Sequence, residues 1–386
     1  MLPRRARALI PSPCKPLHDL NASLYIAPLD RQYACQNPIV GSRRDIAMTI
    51  SRPSPTLHDV ARLAGVSTAT VSRCLNTPDK VVLSTRERVE RAVQELGYAP
   101  NFGARAMASR RTNTIAAIIP TMENAIFAKG LQAFQEELHR HGFTLLVASS
   151  SYDPDIEAQQ ITTMVSRGAD AILVIGHDRD PKIYEWLKRQ NVPVVAAWTY
   201  TPATALASVG FDNCAAMKEL CQRVIDLGHR DIAFVAPPVD DNDRARGRLR
   251  GITMAMDDAG LSPSRLSVVE CPYGIDEGAR AFRRLMADAT PPSAIICGND
   301  VLAVGAIKAA REMGIEVPAQ VSITGFDGIE LSLAVSPPLT TVNVPHQEMG
   351  RLAAEMLVEM LQSGQPGRNI RLATTIQPGG SLAPPP

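Results

Sequence analysis

TLHDVARLAGVSTATVSRCLN, residues 56–76, decides how the rest of the chain is read. Thr56 is a residue type that caps helix N-termini, because its hydroxyl can accept from an unpaired backbone N–H. Leu57, Val60, Ala61 and Ala64 then recur at i, i+3, i+4 and i+7, one apolar face of a short helix. Gly65 suits a corner that a residue with a Cβ resists. Ser67 can cap a second helix whose Val71 and Leu75 face inward, which leaves Thr68, Ala69, Ser72 and Arg73 outward. Arg73 offers a fork to guanine or a charge to phosphate, and the short Thr68 and Ala69 suit contact with a thymine methyl. The same spacing would also serve an ordinary helical hairpin.

Context separates the two readings. The chain has 386 residues and a formal charge of only +1. Residues 1–111, however, carry 17 basic and 8 acidic side chains, and the remainder carries 23 and 31. A basic head on an acidic body points to a nucleic-acid-binding part joined to one that avoids phosphates. Ser84–Gly97 reads as a third helix, with Val89, Ala92, Val93 and Leu96 as its inner stripe and Gly97 as its end. Tyr98–Asn101 reads as an extended connector, and Phe102–Ser109 as two helical turns, too short to be stable alone in water.

TLHDVARLAGVSTATVSRCLN, STRERVERAVQELGYAPN and ARAM together resemble the DNA-binding head and hinge of the lactose-repressor/galactose-repressor family of transcription factors. The resemblance extends over residues 56–375. It implies a homodimeric repressor that reads a palindromic, double-stranded operator. The DNA-contact positions it implies are Ser67, Thr68, Ala69, Ser72, Arg73, Asn76, Asn101, Ala104 and Met107, with Thr56 at the start of the first helix. It also implies that paired hinge helices form over 101–111 on DNA, with Met107 as the apolar wedge in the minor groove.

Residues 1–54 have no sustained periodicity and are rich in proline, as expected of a disordered extension. Met48 is a plausible alternative start just ahead of the organised segment. The head then occupies 55–100, the hinge 101–111 and the body 112–375, with 376–386 (QPGGSLAPPP after Ile376) expected as a flexible tail. Within the body, the runs 114–120, 143–148, 171–175, 192–197, 232–235, 267–269, 294–297 and 321–325 read as buried strands. Helical stretches at 127–141, 156–167, 181–190, 214–227, 246–259, 275–287 and 301–313 alternate with them. Such alternation predicts an α/β body of parallel sheets covered on both faces. Ligands in such folds lie at the carboxyl ends of strands.

The length requires more than one domain. Seven cysteines without a CxxC pair fit a reduced cytosol better than a disulfide scaffold or zinc site. No run approaches the roughly 18 apolar residues of a membrane span. No GxGxxG, GxxxxGK or GxSxG occurs, and no His pairing suggests a triad or metal, so the expectation is a binding protein without cofactor or catalysis. A secreted binding protein would share the body but not the basic head. An α/β enzyme would need a nucleophile or metal constellation.

Candidate ligand residues follow strands: Asn299 and Asp300 after AIIC, Asp327 after SITGF, and Arg248 in the cluster 244–250 (RARGRLR). Carboxylates, amides, an Arg fork and an aromatic face suit a polyhydroxylated ligand. Family signatures at VGFDN (209–213), LGHRDIAFV (227–235), RLRG (248–251), CGNDVLAVGA (297–306) and GFDG (325–328) imply a small sugar or sugar-acid effector between two lobes, similar to periplasmic sugar-binding proteins. They imply contacts at Arg248, Asn299, Asp300 and Asp327, with Asn124, Phe127, Trp198, Phe211 and Tyr273 beside them. His346 stands in PHQEMG (345–350), read as a loop.

Overall fold

The computed structural model describes residues 55–99, 111–123, 125–202 and 206–386. The extension 1–54, residues 101–110 of the expected hinge with Asn101, Ala104 and Met107, and Asn124 lie outside the described residues. The chain divides into two compact units, Met1–Tyr98 and Ala99–Pro386.

In the first unit, α1 (Leu57–Ala64), α2 (Thr68–Asn76) and α3 (Leu83–Leu96) surround a small core. Thr56 and Asp59 form a reciprocal capping box at α1, and Ser67 caps α2. Gly65 closes α1 at φ 65°, a left-handed geometry that glycine adopts without the Cβ clash. Val60, Ala61, Ala64, Val71, Cys74, Val89, Ala92 and Tyr98 are buried. Leu75, expected to face inward, is half-buried and packs against this core, and Cys74 is buried beside it.

The second unit has two lobes. The first begins with β1 (Thr114–Ile119), α4 (Ala128–Arg140), β2 (Thr144–Ser149) and α5 (Pro154–Ser166). It continues with β3 (Ala171–Ile175), α6 (Pro181–Arg189), β4 (Val194–Ala197) and β5 (Ser208–Gly210). The second lobe runs α7 (Asn213–Asp226), β6 (Ile232–Ala236), α8 (Asp243–Asp258), β7 (Leu266–Glu270) and α9 (Ile275–Met286). It is completed by β8 (Ala294–Cys297), α10 (Asp300–Glu312), β9 (Ser322–Asp327), α11 (Leu331–Ala334) and β10 (Thr340–Asn343). The chain returns to the first lobe through α12 (His346–Ser363) and β11 (Asn369–Arg371), then ends in the second through β12 (Thr375–Gln377). It therefore crosses between lobes three times.

The sheet orders are β11-β5-β4-β3-β1-β2 and β12-β10-β9-β8-β6-β7. Pairing is parallel throughout except β10 with β12, which is antiparallel. Central strands such as β1, β3, β8 and β9 are buried along their whole length, as continuous apolar runs between two helical layers must be. The runs at 143–148 and 267–269, expected to be buried, belong to the edge strands β2 and β7 and are half-exposed. An edge strand has only one neighbour, so helices cover it less completely.

Two expectations are corrected. Residues 376–386 are not a flexible tail: the Ser381 hydroxyl is buried and donates to the Ile323 carbonyl, and the Ala383 amide donates to Ser322 Oγ at 3.1 Å. His229 also bonds the Ala383 carbonyl, at 2.8 Å. These bonds satisfy the backbone of a segment too proline-rich to form regular structure. PHQEMG is not a loop but the first turn of α12, whose Met349, Ala353, Met356 and Leu357 are buried. Gly130 and Gly350 meet without side chains where α12 crosses α4.

Candidate functional site

Two places hold the candidate residues. On the first unit, α2 presents Thr68, Ala69, Arg73 and Asn76 to solvent, with Ser67 exposed at its cap and Ser72 half-buried. The Asn76 amide donates to Ser72 Oγ at 3.2 Å, which fixes one polar ridge along the helix. The ion pairs among the described residues of this unit are Arg62–Asp59 and Arg86–Glu90, so Arg73 keeps its guanidinium uncommitted. Thr56 is exposed, but its hydroxyl is engaged with the Asp59 carboxylate at 2.7 Å. It therefore works first as a cap.

The second place is the junction of the two lobes, where parallel strands end together. Arg248, on α8, is buried and uses all its nitrogens. Nε donates to Asn213 Oδ1 at 2.9 Å, Nη1 to the Gly298 carbonyl and Nη2 to Asp327 Oδ1 at 3.4 Å. Its guanidinium carbon lies 3.7 Å above the Phe326 ring centroid, and Phe326 packs on Phe211 at 5.9 Å. Burial raises the Asp327 carboxyl to about 6 against the lowering effect of Arg248, and its Oδ2 is buried without a partner. Asn299 caps α10 through Oδ1, 2.9 Å from the Leu302 amide, which leaves its Nδ2 buried and unpartnered.

Asp300 is drawn into the protein rather than toward the junction's open space. It accepts from the Thr341 hydroxyl at 2.5 Å and the Ile329 amide at 2.8 Å. Burial, with Asp327 nearby, raises it to about 7. On the first-lobe side, Phe127 meets Trp198 edge-on at 5.3 Å. Trp198 Nε1 donates to His346 Nδ1 at 3.3 Å, while His346 Nε2 lies 2.9 Å from the Asp327 carbonyl. A carbonyl only accepts, so Nε2 carries the proton and Nδ1 the lone pair. Burial lowers His346 to about 4, consistent with this neutral tautomer.

Tyr273 of the second lobe faces Tyr152 of the first, with ring centroids 5.6 Å apart. Both line a groove of about 1940 Å³ that runs between the lobes and reaches His346. Of the described residues expected to contact a ligand, only Tyr273 lines this groove. Arg248, Asn299, Asp300, Asp327, Phe127, Trp198 and Phe211 are buried beside the lobe junction. Three residues there have left-handed backbones that non-glycine residues seldom adopt: Tyr152 (φ 61°), Trp198 (φ 60°) and Asp327 (φ 105°). Such strain persists where the surrounding structure over-determines it, often at ligand sites.

The sequence reading missed Tyr152, His177 and Asn213. Tyr152 and His177 follow the carboxyl ends of β2 and β3, so the strand-end rule that picked Asp327 could have found them. Asn213 bridges the lobes, accepting from Arg248 and donating to the Trp198 carbonyl at 3.1 Å. Nearby, the His177 amide donates to Asp243 at 2.7 Å and Arg246 pairs with Asp178 at 2.6 Å, first lobe to second. Gly176 (φ 76°) leaves room for Asp243 and Arg244, where any Cβ would collide. Among the described residues, no cluster of three or more His, Cys, Asp or Glu could hold a metal, and no helix is long and apolar enough to cross a membrane.

A helix-turn-helix unit followed by two parallel-sheet lobes is the architecture of a bacterial transcriptional regulator. Residues 56–101 match the model of bacterial regulatory proteins of the lacI family, and 221–382 match that of the periplasmic binding protein-like domain. The chain is 32% identical over 319 residues to the HTH-type transcriptional repressor CytR of Escherichia coli (strain K12), covering 82% of this chain and 93% of that protein. It belongs to the lacI family and is a DNA-binding transcriptional regulator. A CelR–cellobiose complex superposes with TM-score 0.62 at 30% identity, over 85% of this chain and 99% of that one. The lac repressor dimer bound to operator and the anti-inducer ONPF gives TM-score 0.76 at 24% identity, over 86% and 100%, a likeness of fold.

Proposed function

We propose that the protein is a homodimeric repressor of a palindromic operator whose DNA affinity is set by a small sugar or sugar-acid effector held between the lobes. The observation that carries the effector reading is that two of the buried groups without a partner, Asp327 Oδ2 and Asn299 Nδ2, lie at the carboxyl ends of the adjacent strands β9 and β8. Buried polar groups are seldom left unpaired, and an acceptor and a donor at neighbouring strand ends suit a hydroxyl-rich ligand. The CelR–cellobiose complex supports this choice. On the head, Arg73, Thr68, Ala69 and Ser72 read base edges, while Ser67, Asn76 and Thr56 approach phosphates at the helix ends. Asn101, Ala104 and Met107 extend the contact into the minor groove at the operator centre.

Dimerisation follows from operator symmetry, since two heads must meet two half-sites. The lac repressor structure, a dimer on operator, supports the same arrangement. The effector alters contacts such as Arg246–Asp178 and so the spacing of the paired hinges, a coupling of about 1–3 kcal/mol in typical cases. Fluorescence anisotropy on palindromic fragments from the protein's own promoter region, with and without sugars, tests the reading. Operator affinity should change 5- to 150-fold with an effector, the span of that coupling. Operator binding that ignores every ligand shown to occupy the cleft refutes it.

A further inference from the structure

The strip 175–178, at the carboxyl end of β3 in the first lobe, is docked on the start of α8 in the second. The Ile175 carbonyl accepts from Arg244 Nη1 at 3.2 Å, and the His177 amide donates to Asp243 Oδ2 at 2.7 Å. The Asp178 carboxylate accepts from Arg246 Nη2 at 2.6 Å. Gly176 passes so close to Asp243 and Arg244 that a Cβ there would collide with both. The backbone of His177 is thus part of an interlobe latch, and its ring is trapped by it. Both ring nitrogens are sealed from solvent, and neither has a hydrogen-bond partner among the described residues.

We propose that His177 makes this latch sensitive to protons: a proton gained by its ring releases the strip from α8 and favours parted lobes. The step from parted lobes to operator affinity rests on the reading that closure sets hinge spacing.

A neutral imidazole leaves one N–H without an acceptor in the docked strip, whereas an imidazolium leaves two and adds a buried charge. Burial holds the ring below its ordinary value of 6.5. Arg179 and Arg244 push the same way, while Asp243 and Asp178 push back. Both carboxylates are already committed, Asp243 to Arg244 and Asp178 to Arg246. Arg179 is buried against Glu157 of α5 and the Tyr184 hydroxyl of α6, which also lies 3.2 Å from the His177 carbonyl. Parting the lobes takes Asp243 and Arg244 away with α8, keeps Asp178 beside the ring, and lets water reach both nitrogens. The ring then takes a proton at its ordinary value.

The latch is therefore at full strength above about pH 6.5 and weakens by up to about tenfold per unit below it, until the lowered value is reached. Asp300 and Asp327, raised by burial, act in the opposite sense, since acid favours keeping them buried. His346, lowered by burial, acts in the same sense as His177 and has to be separated from it.

Hydrogen exchange of the full-length protein, read on peptides spanning 175–178 and corrected for the intrinsic rate at each pH, reports how often the latch opens. Between about pH 7.5 and about pH 5.5, protection should fall at least about threefold in the wild type. It should stay constant in His177→Gln, which keeps the backbone amide and cannot take the proton. Arg246→Ala breaks the ion pair and leaves the ring in place, so it should lower protection at every pH and keep the fall. Wild-type protection that ignores pH overturns the proposal. So does a fall that survives in His177→Gln, which assigns the proton to His346 or another junction group, or one that disappears in Arg246→Ala. Operator affinity over the same range tests the step to DNA separately: its pH dependence should differ between wild type and His177→Gln. An identical dependence, with the exchange result intact, refutes the coupling of closure to the operator and leaves the latch standing.

Discussion

The two candidate sites put their functional groups in opposite physical situations. On α2, Arg73 and Thr68 stand in solvent, while Val71 and Cys74 on the opposite face hold the helix to its unit. On that helix the side chains proposed to bind DNA and those that hold the fold are thus different ones. At the lobe junction the residues proposed to meet an effector are themselves buried: Arg248 is 5% exposed, Asp327 1%, and Asn299 not at all. Substitutions on the head should separate affinity from stability, whereas substitutions in the cleft should not.

The sharpest attempt to break that contrast is Arg248→Ala. It leaves Asp327 buried without its cation and removes the stack on Phe326, so unfolding of the body should lose about 3–5 kcal/mol, the cost typical of one orphaned partner. Denaturant titration measures it. A stability near wild type would mean that the cleft is as separable as the head. Next is Asp300, whose folded pKa of about 7 lies above its ordinary value near 3.8. The folded state then holds the proton that the unfolded chain has lost. Its contribution is fully present below about pH 4 and is lost as pH rises toward 7, at up to about 1.4 kcal/mol per unit. The stability of wild type minus that of Asp300→Asn should therefore fall across this window. A flat difference would show that Asp300 is not a buried, proton-retaining carboxyl.

The contrast also explains what the sequence revealed. The helices of the head are legible because exposed polar positions and buried apolar ones alternate with a clear period along short segments. Central strands are legible as unbroken apolar runs. The three-residue strands β5, β11 and β12 are too short to show any period, and β10 (TTVN) is polar. Helix α12 did carry a period, at Met349, Ala353, Met356 and Leu357, but Pro345 and Gly350 at its start imitate a loop. In the cleft the residue types were legible and their partners were not. Arg248 finds Phe326 and Asn213 only through tertiary packing, across 78 and 35 positions of sequence that no local pattern links.

On the head, Arg73→Ala should weaken operator binding by about 1–3 kcal/mol if it reads a guanine. Because its guanidinium supports nothing in the described unit, thermal stability should stay within about 0.5 kcal/mol of wild type. Affinity for a cleft ligand should not move. A parallel loss of ligand affinity would end the claim that the roles are separate.

Thr56→Ala is the smallest effect and the finest test, because at Thr56, as at Ser67, a cap and a proposed DNA contact fall on one side chain. Its hydroxyl accepts from the Asp59 amide at 3.3 Å and donates to the Asp59 carboxylate, half of a box whose removal costs about 1 kcal/mol. If Thr56 acts as a cap, operator affinity should fall only as far as α1 frays. Thr56→Ser, which keeps the hydroxyl, should then restore stability and binding together. If instead the hydroxyl itself approaches a phosphate, binding should weaken in Thr56→Asn, whose amide can still accept from the Asp59 N–H and donate to the Asp59 carboxylate but offers no hydroxyl to DNA, while stability holds. The second result would move one head residue into the regime of the cleft, where a single side chain serves both the fold and the ligand.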